Sequence, residues 1–495
     1  MSTFATFKRA LNAAAPVNRL PSEVLRLIFS CSITSHPLFG SFSYYLPHTT
    51  FSGVCKHWRQ VILSDPLVWN VLASHDHPSL VETALQWSQN LPLKAFIWCC
   101  RQEFVDLVQP HVSSIQHLTC DLTRAPAPGE QPLPLVVVSP VLERLELRRC
   151  SITGKGRMLS ISKSLPRRVV ARISLPESLR RLSLFFTPLT YSFIHLTTLT
   201  NVSLQGIVAP FEKFLLLLKN NIHLAEIRVT DVLFEDADQS GETISLPHLR
   251  KFSYSGDAIY PFLHRLSAPQ RTQFNLRFTD TLNHPVAILP DVLPASLTSL
   301  GMLPIDFISL QIDHPSCAIS ICDSKGGGVF IWWLDEGPSN TANWDLLDLR
   351  AVRKVYLSTP PTLYPNPAHL LDINTLLGKT SCLDTLSISN QGGMYKPLVW
   401  SIITPGSMRG LWPSLNKIRV ASPVQGFPFR ELVSLVKVRK EAEGISDIRH
   451  VDVLVLGGGS ICLEELERLV NIDVKVIDSW MVPAGWEKAA IDHYH

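Results

Sequence analysis

Apolar residues along this chain follow two different periods. Up to about residue 72 the spacing is helical. In "RLPSEVLRLIFS" (19–30), Val24, Leu25, Ile28 and Phe29 recur at i, i+1, i+4 and i+5, an apolar stripe on one side of a short helix. Pro21 suits its first turn and Glu23 its positive end. No charged residue occurs from Cys31 to Cys55, and "HPLFGSFSYYLPHTTF" reads as a loop folded down on other residues. In "VCKHWRQVILSDPLVW" (54–69), Val54, Cys55, Trp58, Val61 and Ile62 share one helical face, with Lys56, His57, Arg59 and Gln60 largely on the other. Asp65 is placed to cap a third helix that opens on Pro66 and presents Leu67, Val68, Trp69 and Leu72. Three short helices bury little, so part of this surface, Trp69 above all, is expected to be free for a partner.

Farther on the period changes. "LERLELRRCSI" (142–152) is L-x-x-L-x-L-x-x-C-x-I, the strand segment of a leucine-rich repeat. Its core recurs as "LKAFIW" (93), "IQHLTC" (115), "LRRLSL" (179), "LTNVSL" (199), "LAEIRV" (224), "LRKFSY" (249) and "LTSLGM" (297), with "RTQFNL" (271) as a degenerate unit. It returns as "VRKVYL" (352), "LDTLSI" (383), "LNKIRV" (415) and "IRHVDV" (448). Each unit predicts a short strand, followed by a helix or irregular return, that buries its leucines only by stacking on its neighbours. "EKFLLLLKNN" (212–221) and "LEELERLV" (463–470) read as return helices, while 305–350 fits the repeat poorly and reads as an irregular unit or inserted loop. The expected architecture is α/β: an N-terminal tail (1–19), a helical segment (20–75), a connecting helix (76–92) and a parallel-strand solenoid (93–495).

Composition narrows the function. The 495 residues are 46% apolar and 18% charged with a net charge of +3, which gives no global argument for nucleic acid or membrane and none for a disordered chain. Ten scattered cysteines form no C-x-x-C pair, and no secretory signal is visible; reduced thiols in a cytoplasmic or nuclear protein are expected. Charge is uneven. Between Glu143 and Arg181 eleven basic residues stand against three acids. A basic loop near 153–174 is therefore expected to project from the solenoid, with Arg167, Arg168 and Arg172 as candidates for binding an acidic or phosphorylated target.

Candidate catalytic chemistry is thin. "VDVLVLGGGSICLEELERLVNIDVKVID" (451–478) imitates a dinucleotide-binding βαβ unit, but Cys462 stands where the third glycine belongs, and a last repeat explains the same pattern. "HDH" (75–77) and the Cys317/Cys322 pair lack further ligands at a familiar spacing. Cys55 and His57 point to different helix faces and cannot act as a nucleophile–base pair. No catalytic residue, metal site or cofactor is expected.

The anchors Leu20–Pro21, Glu23, Val24–Leu25, Ile28–Phe29, Val54–Cys55, Trp58–Arg59 and Pro66 with Trp69 resemble the F-box, and the chain as a whole resembles F-box proteins with irregular repeats common in mushroom-type fungi. Between the LP and VC elements this sequence carries an unusually long, uncharged stretch. The resemblance implies no enzyme but a substrate receptor, docking through Leu20, Pro21, Val24, Leu25, Ile28, Phe29, Val54, Cys55, Trp58, Pro66 and Trp69 on a Skp-type adaptor of a cullin ubiquitin ligase. The repeats would recruit a target protein. Two other readings stay open: a repeat scaffold with no ligase role, and an enzyme using the glycine-rich C-terminal unit.

Overall fold

A computed structural model describes residues 15–35, 51–98, 101–121, 135–155, 158–162, 169–235, 243–256, 265–269, 272–278, 305–313, 316–323, 328–334, 349–359, 377–390, 412–423, 448–456 and 473–476. The chain is mixed α/β with mostly parallel strands, and it divides into two compact units. The first is Met1–Leu224 with Val232–Ala237; the second is Ala225–Asp231 with Asp238–His495.

The first unit opens on α1 (Ser22–Ser35), a helical turn at 51–54, α2 (Lys56–Leu63) and α3 (Pro66–Trp69). There follow β1 (Val71–Ala73), α4 (Pro78–Trp87), β2 (Leu93–Ile97), α5 (Gln102–Val108), β3 (Ile115–Asp121), β4 (Leu135–Val137) and β5 (Arg144–Arg148). Next come β6 (Ser151–Lys155), β7 (Met158–Ser162), β8 (Val169–Ser174), β9 (Arg181–Phe185), α6 (Tyr191–Ile194), β10 (Asn201–Gln205), β11 (Val208–Pro210) and α7 (Phe211–Asn220). Strands β1, β2, β3, β5, β9 and β10 pair side by side in that order, all parallel.

One local device repeats. Alternate residues point to opposite faces of a strand, so Leu118 and Cys120, Leu145 and Leu147, Leu182 and Leu184, Val202 and Leu204 are all buried on one face. Each such side chain contributes about 1.5–3 kcal/mol by leaving water. The leucine before β5 and that before β9 close a turn, their N–H groups donating to Ser139 and Pro176 carbonyls. Just beyond β5, β9 and β10, Arg149, Phe186 and Gly206 take the left-handed conformation (φ 48°, 48° and 60°). There the Arg149 N–H donates to the Phe185 carbonyl and the Phe186 N–H to that of Gln205, at 2.7 Å each, which ties the turns after β5 and β9 to the next strand. Cys150, in the position where the repeat pattern wants a polar ladder residue, donates its thiol to the Cys120 carbonyl at 3.5 Å, while its N–H donates to Thr187 Oγ1. Helix α7 buries Phe211, Phe214, Leu215, Leu217 and Leu218. It ends on buried Asn221, whose amide accepts from the Leu199 N–H and donates to the Leu196 and Leu217 carbonyls.

In the second unit lies β12 (Glu226–Thr230), before the chain returns to the first for β13 (Leu233–Glu235), which pairs with β11. The second unit continues with β14 (Ile244–Ser245), β15 (Lys251–Gly256), β16 (Leu266–Ser267), β17 (Gln273–Phe278), β18 (Ile305–Asp313), β19 (Ser316–Asp323) and β20 (Gly328–Leu334). It closes with β21 (Lys354–Thr359), β22 (Thr385–Asn390), β23 (Lys417–Pro423), β24 (His450–Leu456) and β25 (Asp473–Val476). Its main strands run β12-β15-β17-β20-β19-β18-β21-β22-β23-β24-β25, with β19 alone antiparallel to its neighbours.

Three expectations need correction, and a fourth is narrowed. The strand ladder starts at Val71 rather than Leu93, because Asn70 ends α3 and its carbonyl accepts the Lys94 N–H at 2.8 Å, laying β1 against β2. In "LKAFIW" a register shift between Leu93 and Lys94 turns Ala95 and Ile97 to the leucine face and sends Phe96 and Trp98 to the other. The described residues of the basic segment 153–174 are strands and not loop: β6, β7 and β8 form an antiparallel meander, and β8 pairs in parallel with β4. Of the two readings of 305–350, the described strands favour the irregular unit, with β18, β19 and β20 folded as a meander inside the ladder. "LTSLGM" (297), the return helix at 463–470 and the glycine-rich turn at 457–459 lie outside the described residues.

Candidate functional site

Two surfaces of the first unit carry features beyond what folding needs. The first is the helical head. Phe29 is fully buried, stacked on Phe51 with centroids 4.9 Å apart and tilted against Trp58 at 5.0 Å. Leu25, Val61 and Ile62 are also buried. Cys55 does not lie on the helical face expected of it. It is the N-cap of α2, its sulfur accepting the Trp58 N–H at 3.5 Å, and this breaks the helix between the turn at 51–54 and α2. Asp65 caps α3 as expected, accepting from the Leu67 N–H at 3.1 Å.

Helix α1 splits the expected stripe in two. Leu25 and Phe29 face inward, while Val24, Leu27, Ile28 and Cys31 lie at i, i+3, i+4 and i+7 on the exposed side. Leu27 is 65% exposed, and Leu63 and Leu67 on the two following helices are exposed too. Pro21 and Val54 are exposed; Leu20, Trp58 and Pro66 are half-buried.

Trp69 is a correction. It is only 6% exposed: its indole N–H donates to the Ile62 carbonyl at 2.9 Å, and its ring meets Trp87 of α4 edge-on at 4.8 Å. The reason is covalent: α3 runs straight into β1, which pulls the tryptophan between the head and the first strand. Leu25 and Phe29 are core residues as well, in their case by packing, Phe29 against Phe51 and Trp58.

The second surface is the sheet face opposite the buried leucines. Phe96 and Trp98 lie on it, 6.1 Å apart and stacked, with His75 edge-on to Trp98 at 4.7 Å. Val71 and Ala73 complete this apolar cluster on β1 and β2. Toward β3 and β5 the face turns polar. Glu146 is buried on β5 and takes Arg144 at 3.2 Å on one oxygen and Arg148 on the other. Arg148 in turn lies over the Phe185 ring at 4.0 Å.

Among the described residues, both groups whose titration is clearly displaced belong here. Burial, reinforced by Arg144, holds the Lys94 amine below its ordinary range. The His117 imidazole is pushed down to about 4, first by burial and then by Lys94 and Arg144, with Arg181 adding to them and Glu143 opposing. Neither position stands out in sequence; aligning the units on their buried strand residues instead of on the L-x-x-L-x-L letters would have placed both in one column.

Of the basic-segment candidates, Arg172 is exposed on β8, and Arg167 and Arg168 lie outside the described residues. In "HDH" (75–77), His77 caps α4 by accepting the Ser79 N–H and His75 lies 3.6 Å from Asp76. No group of three or more metal-ligating side chains occurs among the described residues, nor does a helix long and apolar enough to cross a membrane. No protein-family model matches the chain, and no curated protein matches it.

Proposed function

We propose that this chain is the substrate-receptor subunit of a cullin-type ubiquitin ligase, working in the cytoplasm or nucleus, with an F-box-like head that docks on a Skp-type adaptor and a leucine-rich-repeat-like ladder that holds the target. The observation that carries the reading is α1. A short helix whose second side remains apolar after the first has filled the core has a face left over for a partner. That face, Val24, Leu27 and Ile28, follows directly on Leu20–Pro21, where the F-box resemblance places adaptor docking. The ladder supports the second half: parallel strands at one register, with left-handed turns after β5, β9 and β10, present a continuous sheet face on which a protein segment can lie. The chain's contribution to ubiquitin transfer is then proximity, supplied by binding.

The test uses exposed positions, so that binding separates from folding. Leu27→Glu with Ile28→Glu should abolish co-purification with the Skp-type adaptor while far-UV circular dichroism and the thermal midpoint stay unchanged. Full adaptor recovery with the double variant, and with Leu20→Ala plus Pro21→Ala, would refute the receptor reading and leave the repeat scaffold.

A further inference from the structure

Four neighbouring strands of the first unit carry a basic residue at the same register position. Lys94 on β2 faces His117 on β3, His117 faces Arg144 on β5, and Arg144 faces Arg181 on β9. Strands in a sheet lie about 4.8 Å apart, so this row is roughly 14 Å long. Like charges set directly opposite each other on paired strands cost stability, and nothing in the burial of the leucine face requires them. The acid nearest in the adjacent row, Glu146, already shares its two oxygens between Arg144 and Arg148. Arg144 nevertheless keeps 40% of its side chain in solvent and Arg181 is exposed. His117 lies among these cations: burial is the first cause of its lowered pKa, which falls to about 4, and Lys94, Arg144 and Arg181 add to it against Glu143. The positive charge of Lys94, Arg144 and Arg181 along this strip favours an anion over a further cation.

We propose that this row reads an acidic segment of the target protein, lying in extended form across β2, β3, β5 and β9 with its carboxylates or phosphates against Lys94, Arg144 and Arg181. The proposal rests on the reading of the ladder as a target-binding surface. A peptide fits better than a nucleic-acid strand: the cations form a single short row that ends at Val71 on β1 and at Asn201 on β10, with Phe96, Thr119, Glu146 and Ser183 the next residues along the same face. A phosphodiester backbone calls for a broader basic surface. Guanidinium groups at alternate reach also suit bidentate recognition of carboxylate and phosphate alike.

The experiment measures fluorescence anisotropy of the full chain with labelled peptides of one length: one rich in Asp and Glu, one carrying phosphoserine, and one neutral. A single-stranded RNA of similar charge is the fourth arm. The acidic or the phosphorylated peptide should bind at least about tenfold more tightly than the neutral one, and binding should weaken between about 50 and 300 mM salt; whichever of the two binds better identifies the source of the anion. Lys94→Gln with Arg181→Gln should remove that preference. Arg144 is left in place because Glu146 depends on it. Arg172→Gln, on the separate β6–β8 sheet, should change nothing. In the unaltered protein the His117 pKa, followed by its ring NMR signals, should rise on peptide binding, because a neighbouring anion favours the imidazolium. Equal binding of neutral and acidic peptides, no loss with the double variant, a fixed His117 pKa, or tighter binding of RNA than of any peptide would each overturn the proposal. Adaptor co-purification is scored in parallel. Peptide binding that fails while adaptor capture persists refutes only this inference, whereas the converse refutes the ligase reading and leaves the row standing.

Discussion

The helical head and the strand ladder hold themselves together in different ways. The head has no repeat. Its interior is a handful of large side chains, Phe29, Phe51, Trp58 and Trp69, each making contacts that no other residue duplicates. In the ladder each strand contributes two modest apolar residues and one turn, and the same solution recurs one strand over. A partner surface on the head therefore depends on single residues far away from it, while one on the ladder depends on a register that many units maintain together.

That contrast can be broken at its largest predicted effect. Trp69→Ala should cost about 3–5 kcal/mol by emptying the space against Trp87 and Ile62, and adaptor capture should go with it. Leu182→Ala in β9 should cost a comparable amount in urea unfolding but leave adaptor capture intact. If both variants lose the adaptor equally, head and ladder do not differ in this respect.

A middle-sized effect sharpens the ladder side. The folded pKa of His117 is about 4 against an ordinary 6.5, so as pH falls below 6.5 the unfolded chain takes up the proton first and stability declines until about pH 4. His117→Gln should flatten that part of the urea midpoint against pH curve, by about 1–2 kcal/mol after allowing for partial exposure of the ring. Curves that run parallel from pH 6.5 to 4 would show that the row does not repel the proton.

The smallest concerns the turns. A Cβ at Gly206 would run into the Phe186 ring, and φ there is 60°. Gly206→Ala should lower stability by about 1 kcal/mol, limited because the exposed ring can swing aside. A larger loss would mean that the turn is less forgiving than its neighbours Arg149 and Phe186, which hold the same conformation without glycine.

Most ladder strands were legible because L-x-x-L-x-L records which residues must leave water. β5, β9, β10, β15 and β22 lie where the pattern predicts them. What the letters did not carry were facts of pairing. In "LKAFIW" two faces compete, since Ala95 and Ile97 are as apolar as Phe96 and Trp98, and only contact with β3 decides between them. The runs that became β6 to β8 and β18 to β20 pair with one another, which no unit spacing records. In the head the helices were readable, but α1 is apolar on both sides, so its sequence alone could not tell Leu25 from Ile28. The basic row was hidden for a further reason. Its four members come from stretches of different charge and meet only through register; the basic excess between Glu143 and Arg181 contains Arg144 and Arg181 but not Lys94 and His117.

Asn70 ends the last helix of the head and, through its carbonyl to Lys94 and its amide to the Pro92 carbonyl, fastens it to the second strand without an intervening linker. A ligand on α1 and a ligand on β2 to β9 would thus be joined by a lever and not by a tether. Their separation is set by geometry, the effective concentration of one at the other has no length-dependent spread, and lengthening the chain at Asn70 would convert a fixed reach into a distribution.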